Sequence, residues 1–278
     1  MSIVDEAMAF RLPDPGVRAL YTRDARWQLF LDVEAALAQA EADVDLIPRA
    51  AADEISKKAK LELLDKERLL ESFQRAAHPL VPIIWELDRI CEPDAARWLH
   101  WGATTQNISQ TAWTLQAQGA HRIFLSLIAD ILTALADLAE RTAEDVLAGR
   151  THGQPAVPTT FGFKVGVWID ELRRHIQRLR EAEPRVFVAM LGGAAGTSAS
   201  FGPDAPKIQS RFADRLGLRT MPVHARSIND HLAEYVMLLG MLAATAGKIA
   251  NETYELMKEE FSEVEEPIPE GTVGSSTM

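Results

Sequence analysis

The stretch ISQTAWTLQAQGAHRIFLSLIADILTALADLAERTAEDVL, residues 108–147, decides the fold. It contains no proline, and Gly119 is its only glycine. Leu115, Ile123, Leu127, Ile131, Leu135 and Leu138 recur at helical spacing and mark an apolar face. At 1.5 Å per residue, roughly 40 residues make a helix of about 60 Å. A chain of 278 residues cannot cover faces of that length by itself. The pattern therefore predicts a homo-oligomer with the long helices as its interface.

Helical periodicity continues on both sides. Residues 1–20 read as irregular, with Pro13, Pro15 and Gly16. In residues 22–44 one face carries Trp27, Phe30, Leu31, Ala35 and Ala38, and Pro48 closes the segment. Further helices are expected over 48–59, over 65–77 and, after the interruptions at Pro79 and Pro82, over 80–91. Downstream, GRTHGQPAVP (149–158) reads as a loop. A second long helix runs from 159 or 160 to 183, where Pro184 stops it. The glycine-rich LGGAAGTSASFG (191–202) follows, then a helix near 204–216, a turn at 217–222 and a third long helix over 230–262. No segment alternates with period two between hairpin turns. The fold class is all-α: a small N-terminal helical domain, 1–105, followed by a central long-helix bundle, 106–278, expected to form a tetrameric helical core.

Composition narrows the function. A net charge of −11 disfavours nonspecific nucleic-acid binding, so an anionic substrate needs a local basic or donor-rich pocket. One cysteine, Cys91, excludes an internal disulfide framework and suits a reducing cytoplasm. The first residues, MSIVDEAMAF, carry acids where a secretion signal carries bases. The longest apolar run, 235–247, is short for a membrane span and reads as a buried core helix. The histidines are scattered without a ligand spacing, so no metal is expected. GGAAGT lacks the Gly-Lys-Ser/Thr of a phosphate loop, and no cofactor is implied.

Chemically capable side chains gather in three inter-helix stretches. In HWGATTQN (100–107), Thr104, Thr105 or Asn107 caps the following helix, and that helix end is also a ready anion site. In GRTHGQ (149–154), His152 sits on a glycine-shaped connection, where it is either a surface histidine or a proton-transfer group. GTVGSSTM (271–278) is either a linker or a mobile loop offering amides and serine hydroxyls.

Taken together, these stretches resemble the three signature regions of the fumarase/aspartase superfamily. GATTQN is similar to the first region, GRTHGQ to the second and GSSTM to the start of the third, which normally runs Gly-Ser-Ser-x-Met-Pro-x-Lys-x-Asn-Pro. The likeness extends over essentially the whole chain and is closest to the branch of adenylosuccinate lyase and 3-carboxy-cis,cis-muconate cycloisomerase. ALYTRDARWQLFLDVEAALAQAEADVDLIP and GGAAGT look like the cycloisomerase side. GRTHGQPAVPTTFGFK and EEFSEVEEP look like adenylosuccinate lyase. By the resemblance the sequence stops inside the third region, so the rest of the bundle and a C-terminal domain are expected beyond it.

The resemblance implies elimination of a leaving group β to a carboxylate, typically releasing fumarate from a succinyl-type or small dicarboxylate substrate. It implies Ser275 as the base and His152 as the acid. Thr104, Thr105 and Gln106 would hold carboxylates, with His78, Thr151, Gln154 and Ser276 as further substrate contacts. Sites in this family are built from three subunits of a tetramer. The chain departs from the pattern at Asn107, where aspartate is common, and at Pro79 after His78. It departs again in RSINDHLAEY, where Asn229 and His231 replace the arginines of an Arg-Asp-Arg stretch. It also keeps a histidine in GRTH that bacterial cycloisomerases often replace with tryptophan. The reading is an amine-eliminating or similar lyase, with the cycloisomerase as alternative. An inactive structural paralogue is the alternative of another class.

Overall fold

Helices carry most of the chain in the computed structural model, which describes residues 14–224, 227–267, 270–271 and 273–274. After the short α1 (Val17–Leu20) comes α2 (Arg23–Ala42). The Thr22 hydroxyl caps it by accepting from the Ala25 amide at 3.2 Å. Next are α3 (Arg49–Lys58), a 3₁₀ turn (Leu61–Leu63) and α4 (Lys66–Ala76), the last capped by Asp65. Ala77 ends α4 in the left-handed conformation. Then come α5 (Val81–Ile90) and the short α6 (Pro93–Ala96).

The rod predicted over 108–147 is α7 (Thr105–Arg141), displaced towards the N-terminus. It ends early although no proline or glycine stops it. Residues 146–151 are instead taken up by a β-hairpin, β1 (Val146–Thr151) against β2 (Gln154–Thr160). The Thr142 carbonyl accepts from the Gly162 amide and that of Asp145 from the Phe161 amide, both at 2.9 Å. Tertiary pairing thus replaces the helix, and the loop expected at 149–158 is a hairpin within a fold that remains all-α in class. The second long helix, α8 (Phe161–Val186), runs through Pro184. A proline so close to the end removes one amide bond, and the helix tolerates it. β3 (Val188–Ala189) and β4 (Arg219–Thr220) form a short parallel pair around α9 (Ala205–Leu216). The third long helix, α10 (Asp230–Leu256), stops short of 262.

The contacts divide the chain into two compact units. One comprises 1–126 and 181–233, the other 127–180 and 234–278. We keep the division at residue 105 as a proposal for the assembled protein. In the first unit, Trp27, Phe30 and Leu31 of α2 are buried as expected, together with Val33 and Leu37. Trp27 stacks on Phe73 at 4.9 Å, and Ile55, Phe212 and Ile208 are also fully enclosed. In the second unit, α8 and α10 are joined by Lys164–Glu252 and Lys248–Glu171 ion pairs. The Thr245 hydroxyl donates to Glu171 at 2.7 Å and meets His175 Nε2 at 2.8 Å. Because Thr245 gives its only proton to Glu171, His175 must donate from Nε2.

The long helices also carry the main departure from the expected burial. The run 235–247 is not a core element of the single chain: only 11% of the apolar window of α10 is buried. By length and composition alone α10 could cross a membrane, and the same traits suit a helix packed inside an assembly. Its Val236 and Met237, with Phe163 and Val167 of α8 and Leu127 and Ile131 of α7, are exposed.

Candidate active site

The first motif is built from the residue before α7 upward. Thr104 precedes the helix and Asn107 occupies its first turn. The Asn107 Oδ1 accepts from the Thr104 amide at 3.1 Å, and the Asn107 amide donates to the Thr104 carbonyl at 2.8 Å. This is the reciprocal half of a capping box. The same oxygen also accepts from the Gly193 amide at 3.1 Å. Asn107 is therefore not the cap. It is a buried joint between the first motif and the glycine-rich 191–202 segment.

That segment lies directly on the motif. A Cβ at Gly102, whose φ is +65°, would stand 2.5 Å from the Phe201 ring. Only glycine satisfies both the backbone angle and the contact. Thr104, Thr105 and Gln106 are half-buried around the helix end. The first turn leaves amides without intrahelical partners, which favours a carboxylate there. Gln106 Nε2 donates to Gln110 at 3.1 Å.

Behind the motif, His100 Nδ1 lies 2.7 Å from Glu34 Oε1 of α2. Glu34 is 1% exposed and Glu41, two turns along the same helix, 0%. Burial lowers the readiness of His100 to ionise, but the Glu34 charge and hydrogen bond outweigh it, so its pKa rises. Burial and the neighbouring Glu34 charge push the Glu41 carboxyl up to about 9. These two glutamates were missed from sequence. No motif marks them, and glutamate on a helix ordinarily faces water.

The second motif is the hairpin. Thr151 pairs with Gln154 across a two-residue turn whose residues, His152 and Gly153, have φ of +49° and +70°. Two successive positive φ values are those of a type I′ turn, which matches the twist of the strands. His152 is thereby carried at an exposed tip, flanked by exposed Thr151 and Gln154.

His78 has a different setting. Its Nδ1 accepts from the Leu80 and Val81 amides, each at 3.2 Å, and so caps the start of α5. That leaves Nε2 to carry the ring proton. Ser275 and Ser276 lie outside the described residues. His78, Thr104, Thr105 and Gln106 belong to the first unit, and Thr151, His152 and Gln154 to the second. A cavity of about 650 Å³ in the first unit is lined by His121, Arg122, Glu183, Asp214 and Arg219 among others, and by no motif residue. His121 Nε2 meets Glu183 there at 3.0 Å. Among the described residues no cluster of metal ligands occurs.

Comparisons with known proteins identify the family. A family model described as lyase matches residues 8–278. N-acetyl-S-(2-succino)cysteine lyase of Dickeya dadantii (strain 3937) is 41% identical over 95% of this chain and 58% of its own length. Adenylosuccinate lyase of Methanothermobacter thermautotrophicus (strain ATCC 29096) is 38% identical over 97% of this chain and 60% of its own. The crystal structure of beta-carboxy-cis,cis-muconate cycloisomerase from Acinetobacter calcoaceticus sp. ADP1 is similar at a TM-score of 0.84 and 30% identity, over 89% of this chain and 58% of that one. The chain thus spans about three fifths of the length of the proteins it matches. With nearly the whole of its 278 residues matched by the family model, the chain belongs to the fumarase/aspartase superfamily of lyases, in the branch of adenylosuccinate lyase and 3-carboxy-cis,cis-muconate cycloisomerase.

Proposed function

We propose that the assembled protein is an eliminating lyase that expels an amine or a thiol from a succinyl group and releases fumarate. A base removes a proton from the carbon beside one carboxylate. The C–H electron pair becomes the double bond, the bond from the adjacent carbon to nitrogen or sulfur breaks, and the leaving atom takes that bonding pair and is protonated by an acid. The observation that carries the reading is His152 at the exposed tip of a tight hairpin, where its ring is free to meet a substrate once copies assemble. Thr104, Thr105 and Gln106, around a helix N-terminus, suit the substrate carboxylates. Ser275 takes the base role on the strength of its motif. The elimination needs a site that stabilises the doubly charged intermediate, and oriented amides are the usual means.

The substrate is proposed to lack phosphate. His231, standing where an arginine is common, is buried, and burial lowers its pKa against the opposing pull of Asp230, so it supplies no fixed positive charge. His78 uses Nδ1 as a helix cap. The relative named for N-acetyl-S-(2-succino)cysteine supports a small succinyl thioether, and the relative named for adenylosuccinate supports a succinyl amine. Homotetrameric assembly with sites shared between copies, and a cytoplasmic location, belong to the same proposal.

The test is fumarate absorbance with the full-length protein on N-acetyl-S-(2-succino)cysteine, adenylosuccinate and 3-carboxy-cis,cis-muconate. The small thioether should be turned over, with adenylosuccinate at least about 10²-fold poorer in kcat/KM. Preference for adenylosuccinate overturns the phosphate argument. Lactone formation from the muconate supports the cycloisomerase, and no reaction with any of the three overturns the lyase reading. With an active substrate in hand, Ser275→Ala should keep binding but lose exchange of the α-carbon hydrogen with deuterated water. Ser276→Ala should hurt less.

A further inference from the structure

The hairpin holds a second built feature, one residue before the Thr151–His152 tip. The strand register shifts between Gly149 and Arg150, a bulge that re-aims the Arg150 side chain. Arg150 meets Glu263 in a two-pronged ion pair, Nη1 to Oε2 at 2.9 Å and Nη2 to Oε1 at 2.6 Å. The face of the same guanidinium lies 4.5 Å from the centre of the Phe261 ring. Both charged side chains are largely enclosed, 18% and 17% exposed. The Arg150 hydrogen bond, against the opposing effect of burial, holds the Glu263 carboxyl below the usual range.

Glu263 and Phe261 reach this place because the chain folds back at the end of α10. Ser262 takes a φ of +51°, and the Glu263 amide donates to the Leu256 carbonyl at 3.0 Å. A strained, non-glycine residue has thus been placed so that an acid and an aromatic meet one arginine. Stability alone does not account for the choice. Arg150 Nε is buried without a partner among the described residues, and an apolar pair would fill the space with no orphan donor.

We propose that Arg150 and Glu263 are positioning residues for the reaction. They tie the hairpin that presents His152 to the 257–263 segment, so that the His152 tip is held in one position. The inference rests on the lyase reading for its kinetic consequence but not for the coupling itself. Lysine cannot replace the arginine, because it offers neither the planar fork nor the stacking face.

The test uses full-length protein carrying Arg150→Lys, Arg150→Met, Glu263→Gln, or the reciprocal exchange Arg150→Glu with Glu263→Arg. Two readouts are taken: hydrogen exchange over 146–160 and 257–264, and steady-state kinetics on the best succinyl substrate. Arg150→Met should speed exchange in both segments together. It should lower kcat by about 10–100-fold while KM stays within about threefold. Arg150→Lys should resemble Arg150→Met rather than wild type, and the reciprocal exchange should restore part of kcat. Faster exchange in one segment only overturns the coupling, even if no substrate is found. Coupled exchange with kcat within about twofold of wild type makes the pair a structural clamp and overturns the positioning role. Absence of activity in the wild type, with coupled exchange intact, counts against the lyase reading and leaves the coupling standing.

Discussion

Glu41 is 0% exposed, and neither carboxylate oxygen has a hydrogen-bond partner among the described residues. Its pKa is about 9 folded, against 4.5 for a free glutamate. Between those values the folded protein holds a proton that the unfolded chain has lost. The stabilising contribution is complete below about 4.5 and falls away as pH rises towards about 9, at roughly 1.4 kcal/mol per pH unit. Glu41→Gln should remove this slope, so urea midpoints measured from about pH 5 to about pH 8 should fall less steeply in the variant. Parallel slopes would show that Glu41 is ionised in the folded state. Asn107 carries the second argument at this scale. One oxygen serves the Thr104 and Gly193 amides, so Asn107→Ala orphans the buried Gly193 donor, at about 1–3 kcal/mol, and frees the half-buried Thr104 amide at less cost. Asn107→Asp keeps the accepting oxygen and should melt near wild type. Equal melting of the alanine and wild-type proteins would mean that neither bond matters.

Among the elements, the hairpin tip offers the cleanest separation of fold from chemistry. Asparagine accepts the left-handed backbone that His152 adopts. His152→Asn should therefore leave circular dichroism and assembly unchanged while lowering kcat about 10²–10⁴-fold. Near wild-type kcat would assign the acid to another group. The same hairpin marks the limit of what the sequence discloses. The three long helices were legible because their periodicity persists over many turns. The strands were not, because Pro155, Val157 and Val146 are all exposed and no apolar-polar alternation is imposed on them. A His-Gly pair is also a weaker turn signal than Asn-Gly. The end of α7 was misplaced for a related reason: the partners that stop it, Phe161 and Gly162, follow the hairpin. The candidate residues His152 and Thr104–Gln106 rest on motif and helix-start chemistry. The second partner of Asn107 lies 86 residues away, beyond any local pattern.

Viewed whole, the molecule leaves large apolar side chains uncovered along its long helices. Phe163 is 69% exposed and Met237 70%. Burying side chains of this size is worth about 1.5–3 kcal/mol each, which favours a partner surface. Light scattering on the full-length protein should report a tetramer, and a monomer at micromolar concentration would remove both the shared bundle and the shared site. The central claim is that motifs from different copies join in one lyase site, and inter-subunit complementation tests it most directly. Full-length His152→Asn and Thr104→Val, each inactive alone, are mixed, unfolded and reassembled at equal ratio. If the first and second motifs of a site come from different copies, random assembly leaves roughly a quarter of sites with both residues intact. Fumarate release should then recover to roughly that fraction of wild type. Mixed assemblies no more active than either parent would contradict the account.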